Sequence, residues 1–158
     1  MNKDCIFCEF YEEGNKIEYE NSHFYSRFDR FPVNPGHSEI IPKRHVVTLD
    51  ELTSSEWESL KPMIKKTISL IENSNLEDIY LDFLKDPINK SSEKFLRKAL
   101  ESPFIHLRPD AYNHGINDGE EAGRTIPHLH WHIIPRYKGD VSNPRGGVRH
   151  IIPESGFY

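Results

Sequence analysis

His128, His130 and His132 alternate with Leu129, Trp131 and Ile133 in the C-terminal third of the chain. In an extended strand successive side chains point to opposite faces, so this spacing predicts one imidazole face and one apolar face. Buried imidazoles need hydrogen-bond partners and contribute little as packing, so three of them are poorly explained as incidental. Two chemistries fit: a facial set of three ligands around a catalytic zinc with an open position, or acid, base and nucleophilic work on an anion.

The upstream flank favours an anion. Asn117-Asp118-Gly119-Glu120-Glu121-Ala122-Gly123-Arg124-Thr125 carries glycines and small residues that let backbone N–H groups approach a ligand. Within it Arg124 offers a fork for phosphate oxygens. A second cluster lies at the other end of the chain. Cys5 and Cys8 have the two-residue gap that lets both thiolates reach one tetrahedral zinc, with two histidines to complete the set. A redox pair and two idle thiols are the alternatives.

With 158 residues the chain has the length of one domain with one substantial core. A net charge of −5 with mixed signs gives no basic patch for a nucleic-acid backbone. No apolar run approaches the roughly 20 residues of a membrane span, and the N-terminus lacks the pattern of a secretory signal, so a cytoplasmic protein is expected. Two closely spaced cysteines are too few for a disulfide scaffold. Nine histidines are many, and six of them follow residue 105, which places the chemistry there.

Other elements must hold these residues. Alternation predicts strands over 17–29 and Ser38–Ile41, separated by the turn residues Pro32, Pro35 and Gly36. Thr53 and Glu56 have capping-box spacing, and Trp57, Leu60, Ile64, Ile68 and Ile71 continue a helical face, with a kink or later start expected at Pro62. Helix is predicted over 76–102, broken at Pro87, as a packing segment or a partner surface without chemistry. Strands follow at 104–107, 110–116 and 126–134, the last ended by Pro135, and 140–158 reads as an ordered loop or extended arm.

The whole pattern resembles the histidine-triad (HIT) family. Its signature, His-φ-His-φ-His-φ-φ with φ apolar, is met at every position by His128-Leu129-His130-Trp131-His132-Ile133-Ile134. Similar segments occur at Pro35-Gly36-His37, at Ile40-Ile41-Pro42-Lys43-Arg44-His45, at 117–125 and at Pro135-Arg136-Tyr137. The resemblance implies an α+β fold, a single domain spanning 1–158 with an antiparallel sheet and helices on one side. It leaves 74–104 as a helical insertion and 140–158 as an extended C-terminal arm, and it implies a homodimer. It also implies a nucleotide hydrolase in which His130 takes the α-phosphoryl group as a nucleotidyl-imidazole intermediate, released later by water. His128, His132 and His37 would orient His130 and neutralise charge, with no catalytic metal required. Asp29 would hold the ribose hydroxyls, and Ile6, Phe7 and Phe28 would build the base pocket, although Asp29 serves equally as a turn cap and Phe28 as core. Asn117, Gly123, Arg124 and Thr125 would face the phosphates. Many family members have Gln where this chain has Arg124. Structural zinc on Cys5, Cys8, His45 and His128 follows from the family's bacterial branch. The substrate would be a dinucleoside polyphosphate or a nucleoside phosphoramidate. A zinc metallohydrolase using the three triad histidines and a non-catalytic nucleotide-binding protein are the rival readings.

Overall fold

Strands Tyr19–Glu20 (β1), Phe24–Phe28 (β2), Ser38–Pro42 (β3), Ala111–Gly115 (β4) and Trp131–Arg136 (β5) form one antiparallel sheet in the spatial order β1-β2-β3-β5-β4. Helices Ile6–Glu12 (α1), Ser54–Asn73 (α2), Leu76–Phe83 (α3) and Lys90–Leu100 (α4) complete a single α+β domain. The computed structural model describes residues 4–156, so the ends of the expected domain at 1–3 and of the expected arm at 157–158 lie outside the described residues. Among these no helix is long and apolar enough to cross a membrane.

Strand alternation splits the interior in two. Phe24, Phe28, Ile40 and Ile133 face one side, where they pack with Leu60, Met63 and Ile71 of α2, Tyr80 and Phe83 of α3, and Leu96 and Ala99 of α4. Tyr25 and Ile41 face the other side and pack with Cys5, Phe7, Cys8 and Phe10 around α1. The helices from α2 onward therefore cover one face, and α1 alone sits on the opposite one. Burial of this apolar surface is the main drive for the arrangement, at about 25 cal/mol per Å².

The N-terminal cap of α2 is as predicted: the Thr53 side chain accepts from Glu56 N, and Glu56 reaches back to Thr53 N at 2.7 Å. The helix starts there and runs on through Pro62. Pro62 and Glu58 are both exposed, so the carbonyl that the proline leaves unbonded stays in water. Trp57, expected on the buried face, is 42% exposed; the face that packs is Leu60, Met63, Thr67 and Ile71, with Glu56 held at its start by Arg44.

Three strand boundaries differ from expectation. Residues 17–29 form a hairpin rather than one strand, because the Asn21 side chain accepts from the backbone of His23 and Phe24 and turns the chain. Residues 104–107 are turns, bonded through Ser102 to Phe104 N and through the carbonyls of Ser102 and Phe104. The third difference concerns the histidines. The final strand begins at Trp131, and His128 N donates to Ile126 O at 2.8 Å, closing a three-residue turn about Pro127. The fixed φ of proline suits the centre of an inverse γ-turn. Pro135 does not end the strand, which runs to Arg136; β3 pairs only as far as Ser38↔Ile133, so the missing proline N–H breaks no bond on that side.

Candidate active site

The three histidines share one face of the chain and meet different partners along it. His128 points at the cysteines, with Nδ1 3.4 Å from Cys5 Sγ and 3.7 Å from Cys8 Sγ. His45 Nδ1 lies 3.5 Å from Cys8 Sγ. All four donor atoms of Cys5, Cys8, His45 and His128 fall within 4.8 Å of one another. Tetrahedral zinc requires sulfur-to-nitrogen separations of about 3.6 Å, from bond lengths of about 2.3 and 2.05 Å, so this donor set fits the ion in kind and spacing. His128 Nε2 donates to the Pro42 carbonyl at 2.9 Å, which leaves the Nδ1 lone pair facing the thiols. Burial holds His128 neutral, its pKa pushed down to about 4. Of the two roles expected for His128, its ring lies at the cysteine cluster, and its backbone carbonyl accepts from His130 Nδ1 and so orients that ring.

That carbonyl sets the protonation of His130. A carbonyl oxygen only accepts, so His130 Nδ1, 2.8 Å from His128 O, carries the proton and Nε2 keeps its lone pair. The ring is buried, and burial first among the causes lowers its pKa below 6.5. Phe7 of α1 stands edge-on to it, with ring centres 5.1 Å apart. The Tyr25 hydroxyl ties that helix to β2 by donating to Phe7 O at 2.7 Å.

His132 belongs to a third group. Its Nδ1 lies 3.0 Å from His37 Nε2, and His37 Nδ1 lies 3.1 Å from Asp29 Oδ2. The carboxylate draws the His37 proton to Nδ1, so His37 Nε2 accepts from His132 Nδ1, and His132 Nε2 is left without a proton. Burial pushes the His132 pKa down to about 4 and lowers that of His37. His130 and His132 stand with ring centres 4.8 Å apart. A cavity of about 370 Å³ opens beside His132, with Asn117, Glu121, Ile134 and Ile152 in its walls. Among the described residues no cluster of metal-capable side chains contains more than one triad histidine.

The remaining predicted residues divide. Ile6 packs beside the α1 cluster and Phe7 beside His130. Phe28 is a correction: it lies 1% exposed in the core under the helices, on the face opposite Asp29. Asp29 combines two roles, since Oδ1 caps the turn by accepting from Phe31 N at 2.7 Å while Oδ2 meets His37. In the flank Asn117 Nδ2 donates to Gly123 O at 3.5 Å, Gly123 takes φ +90°, and Thr125 is exposed. Arg124 donates to Val47 O at 3.0 Å and sits 3.8 Å from Asp118 Oδ1, and its charge disfavours protonation of His130.

Sequence reasoning missed Arg27 and Glu39, which face each other across β2 and β3 and are both buried. The Arg27 guanidinium lies 3.9 Å from the centre of the Phe10 ring. The signal was present: counting by twos from Asp29 puts Arg27 and Tyr25, not Phe28, on the site face.

Comparison with known proteins agrees with this geometry. The HIT domain pattern matches residues 11–139. The asymmetrical bis(5'-nucleosyl)-tetraphosphatase of Schizosaccharomyces pombe is 30% identical over 142 residues, which are 90% of this chain and 60% of that one. A crystal structure of a HIT family member from Bacillus subtilis superposes with a TM-score of 0.60 at 25% identity, covering 97% of this chain and 89% of the other. A zinc-bound histidine-triad protein from Mycobacterium smegmatis gives a TM-score of 0.54 at 25% identity, covering 89% and 80%.

Proposed function

Because the chain belongs to the HIT domain family, we propose that it is a nucleotide hydrolase that cleaves at the α-phosphate through a covalent intermediate on His130. The observation that carries this reading is the 2.8 Å bond from His130 Nδ1 to the His128 carbonyl, which leaves Nε2 as a neutral nucleophile. In the first step Nε2 bonds to the α-phosphorus, the bond to the leaving group breaks, and the leaving group departs with the electron pair. In the second step water attacks phosphorus, the P–N bond breaks, and His132 Nε2 takes the water proton. The imidazolium so formed is stabilised through His37 by the Asp29 carboxylate. Ile6, Phe7 and Asp29 bind the nucleoside in this reading, and Cys5, Cys8, His45 and His128 hold a structural zinc that ties the N-terminal helix to the β3 side of the sheet.

The resemblance to a dinucleoside tetraphosphatase makes dinucleoside polyphosphates the first substrates to assay, with nucleoside phosphoramidates beside them. Release of mononucleotide from any member of such a panel supports the reading. Affinity without turnover across the panel overturns it in favour of a nucleotide-binding protein, and loss of turnover to a chelator in protein that stays folded overturns it in favour of a metallohydrolase.

Two further results are expected. With its pKa near 4, His132 keeps its proton-accepting form through the ordinary imidazole range. Single-turnover decay of the intermediate should stay flat as pH falls through 6.5 and drop only toward about 4, and a decay limb centred at 6.5 would count against His132 as the base. Arg124 uses Nη1 on Val47 O, and its other nitrogens are read here as contacts for a polyphosphate leaving group. A charge-assisted contact contributes on the order of 1.5–3 kcal/mol. Arg124→Gln should therefore lower kcat/KM for dinucleoside polyphosphates roughly tenfold or more, and less for phosphoramidates. Equal losses on both substrates would show that it does not select the polyphosphate.

A further inference from the structure

We propose that the helical pair α3–α4 positions the Asp29–His37–His132 chain, with Tyr80 and Ser92 as the positioning residues. The kinetic side of this inference rests on the hydrolase reading, and its geometric side stands alone.

The segment between β2 and β3 carries Asp29 at its start and His37 at its end. Asp29 N donates to His37 O at 2.8 Å, which closes the base of the segment; inside it Phe31 N donates to Asp29 Oδ1 and His37 N to Asn34 O, and further bonds reach it from outside. The residues next to the two site residues are each bonded to a buried hydroxyl of the helical pair. Gly36 N donates to Tyr80 Oη at 2.7 Å, and Ser92 Oγ donates to Arg30 O at 2.7 Å; Tyr80 and Ser92 are both fully buried. Arg30 reaches the same helices with its side chain, donating through Nη2 to Phe83 O at 3.3 Å and to Asp86 O. The Phe31 ring meets Phe95 edge-on, with centres 6.1 Å apart.

Gly36 confirms how closely the segment is held. Its φ of +82° favours glycine, and an added Cβ would lie 2.9 Å from Ile71 Cγ2 and 3.1 Å from Pro135 Cγ. From the end of β5 and the residues after it, the segment receives the Tyr137 hydroxyl on Pro35 O, and Asn34 donates to Pro135 O and Asp140.

Neither hydroxyl of the helical pair bonds an imidazole, so both act through the backbone. The chain they support is an ion-pair contact of 3.1 Å between Asp29 and His37 and a hydrogen bond of 3.0 Å between His37 and His132, and a displacement of well under an ångström is enough to weaken either. Once His37 shifts, His132 loses the acceptor that keeps its proton on Nδ1, and the two tautomers mix.

The test uses the full chain with Tyr80→Phe and Ser92→Ala, each of which removes one hydroxyl and little volume. Two measurements are made: steady-state kinetics on whichever panel substrate turns over, and the imidazole nitrogen chemical shifts of His37 and His132 at pH 8. Each variant should lower kcat on the order of tenfold with KM within about twofold, the loss expected when a catalytic group is displaced by a fraction of an ångström. The His132 nitrogen shifts should move from a fixed Nδ1–H form toward the average of two tautomers. Leu81→Ser, on the exposed side of α3, should change neither. Wild-type nitrogen shifts in both variants would overturn the proposal, as would a fall in activity that only tracks the folded fraction. Should one variant fail to fold, the other decides. If the wild-type protein turns over nothing, the hydrolase reading falls and the nitrogen shifts alone decide the positioning role.

Discussion

Replacing His130 with alanine should abolish mononucleotide release, by more than about a thousandfold in kcat, while the affinity for a mononucleotide stays within a few-fold of wild type. The size of the loss follows from removing the atom that forms the covalent bond, for which the rest of the site has no substitute. The small change in binding follows from geometry: Asp29 and Phe7 remain, and neither depends on His130 for its own bonds. Calorimetric titration with a mononucleotide beside rapid-quench turnover reads both quantities. Near wild-type turnover in His130→Ala would remove it as the nucleophile. Turnover and binding lost together in a folded variant would make His130 part of the pocket instead.

Removing the metal should have the second largest effect, on stability rather than on chemistry. The proposed zinc bridges α1, the residues after β3 and the turn before β5, so its binding free energy is folding free energy. Protein purified without chelator should hold one zinc per chain. Cys5→Ser should lower Tm by about 10 °C or more, at a few degrees per kcal/mol for a domain of this size. In chelator-stripped protein the same substitution should shift Tm little, because the cross-link it breaks is already gone. Activity per folded molecule should change far less than stability. Absence of stoichiometric zinc, or an equal Tm loss with and without the chelator, would leave Cys5 and Cys8 as packed thiols.

Much of the site was legible because its residues are marked by type and spacing. The triad pattern, the Cys5–Cys8 gap and Pro35-Gly36-His37 all read directly, and so did the Thr53 cap of α2 and the break between α3 and α4. These are local features: a cap, a glycine turn or a two-residue gap is decided within a few residues of chain. The family, and with it the α+β sheet and the proposed chemistry on phosphate, follows from their order along the sequence.

What the sequence left open was decided by contacts far apart in the chain. Strand alternation put His128, His130 and His132 on one face, and the fold keeps them there, with Leu129, Trp131 and Ile133 packed on the helix side; the partners that folding brings up are what send His128 to the cysteines and His132 to His37. Phe28 and Arg27 differ by one residue; alternation from Asp29 sets them on opposite faces, and pairing with β3 and the packing of α2 bury Phe28 in the core. The pattern marked 76–102 as packing or a partner surface, and the hydroxyls of Tyr80 and Ser92 acquire their place beside the residues next to Asp29 and His37 only once the helices fold against the turn. Residue types therefore determined which side chains this protein brings to its candidate site. Which nitrogen of each imidazole holds the proton was decided by the tertiary structure, because it depends on the carbonyl or carboxylate that folding places opposite it.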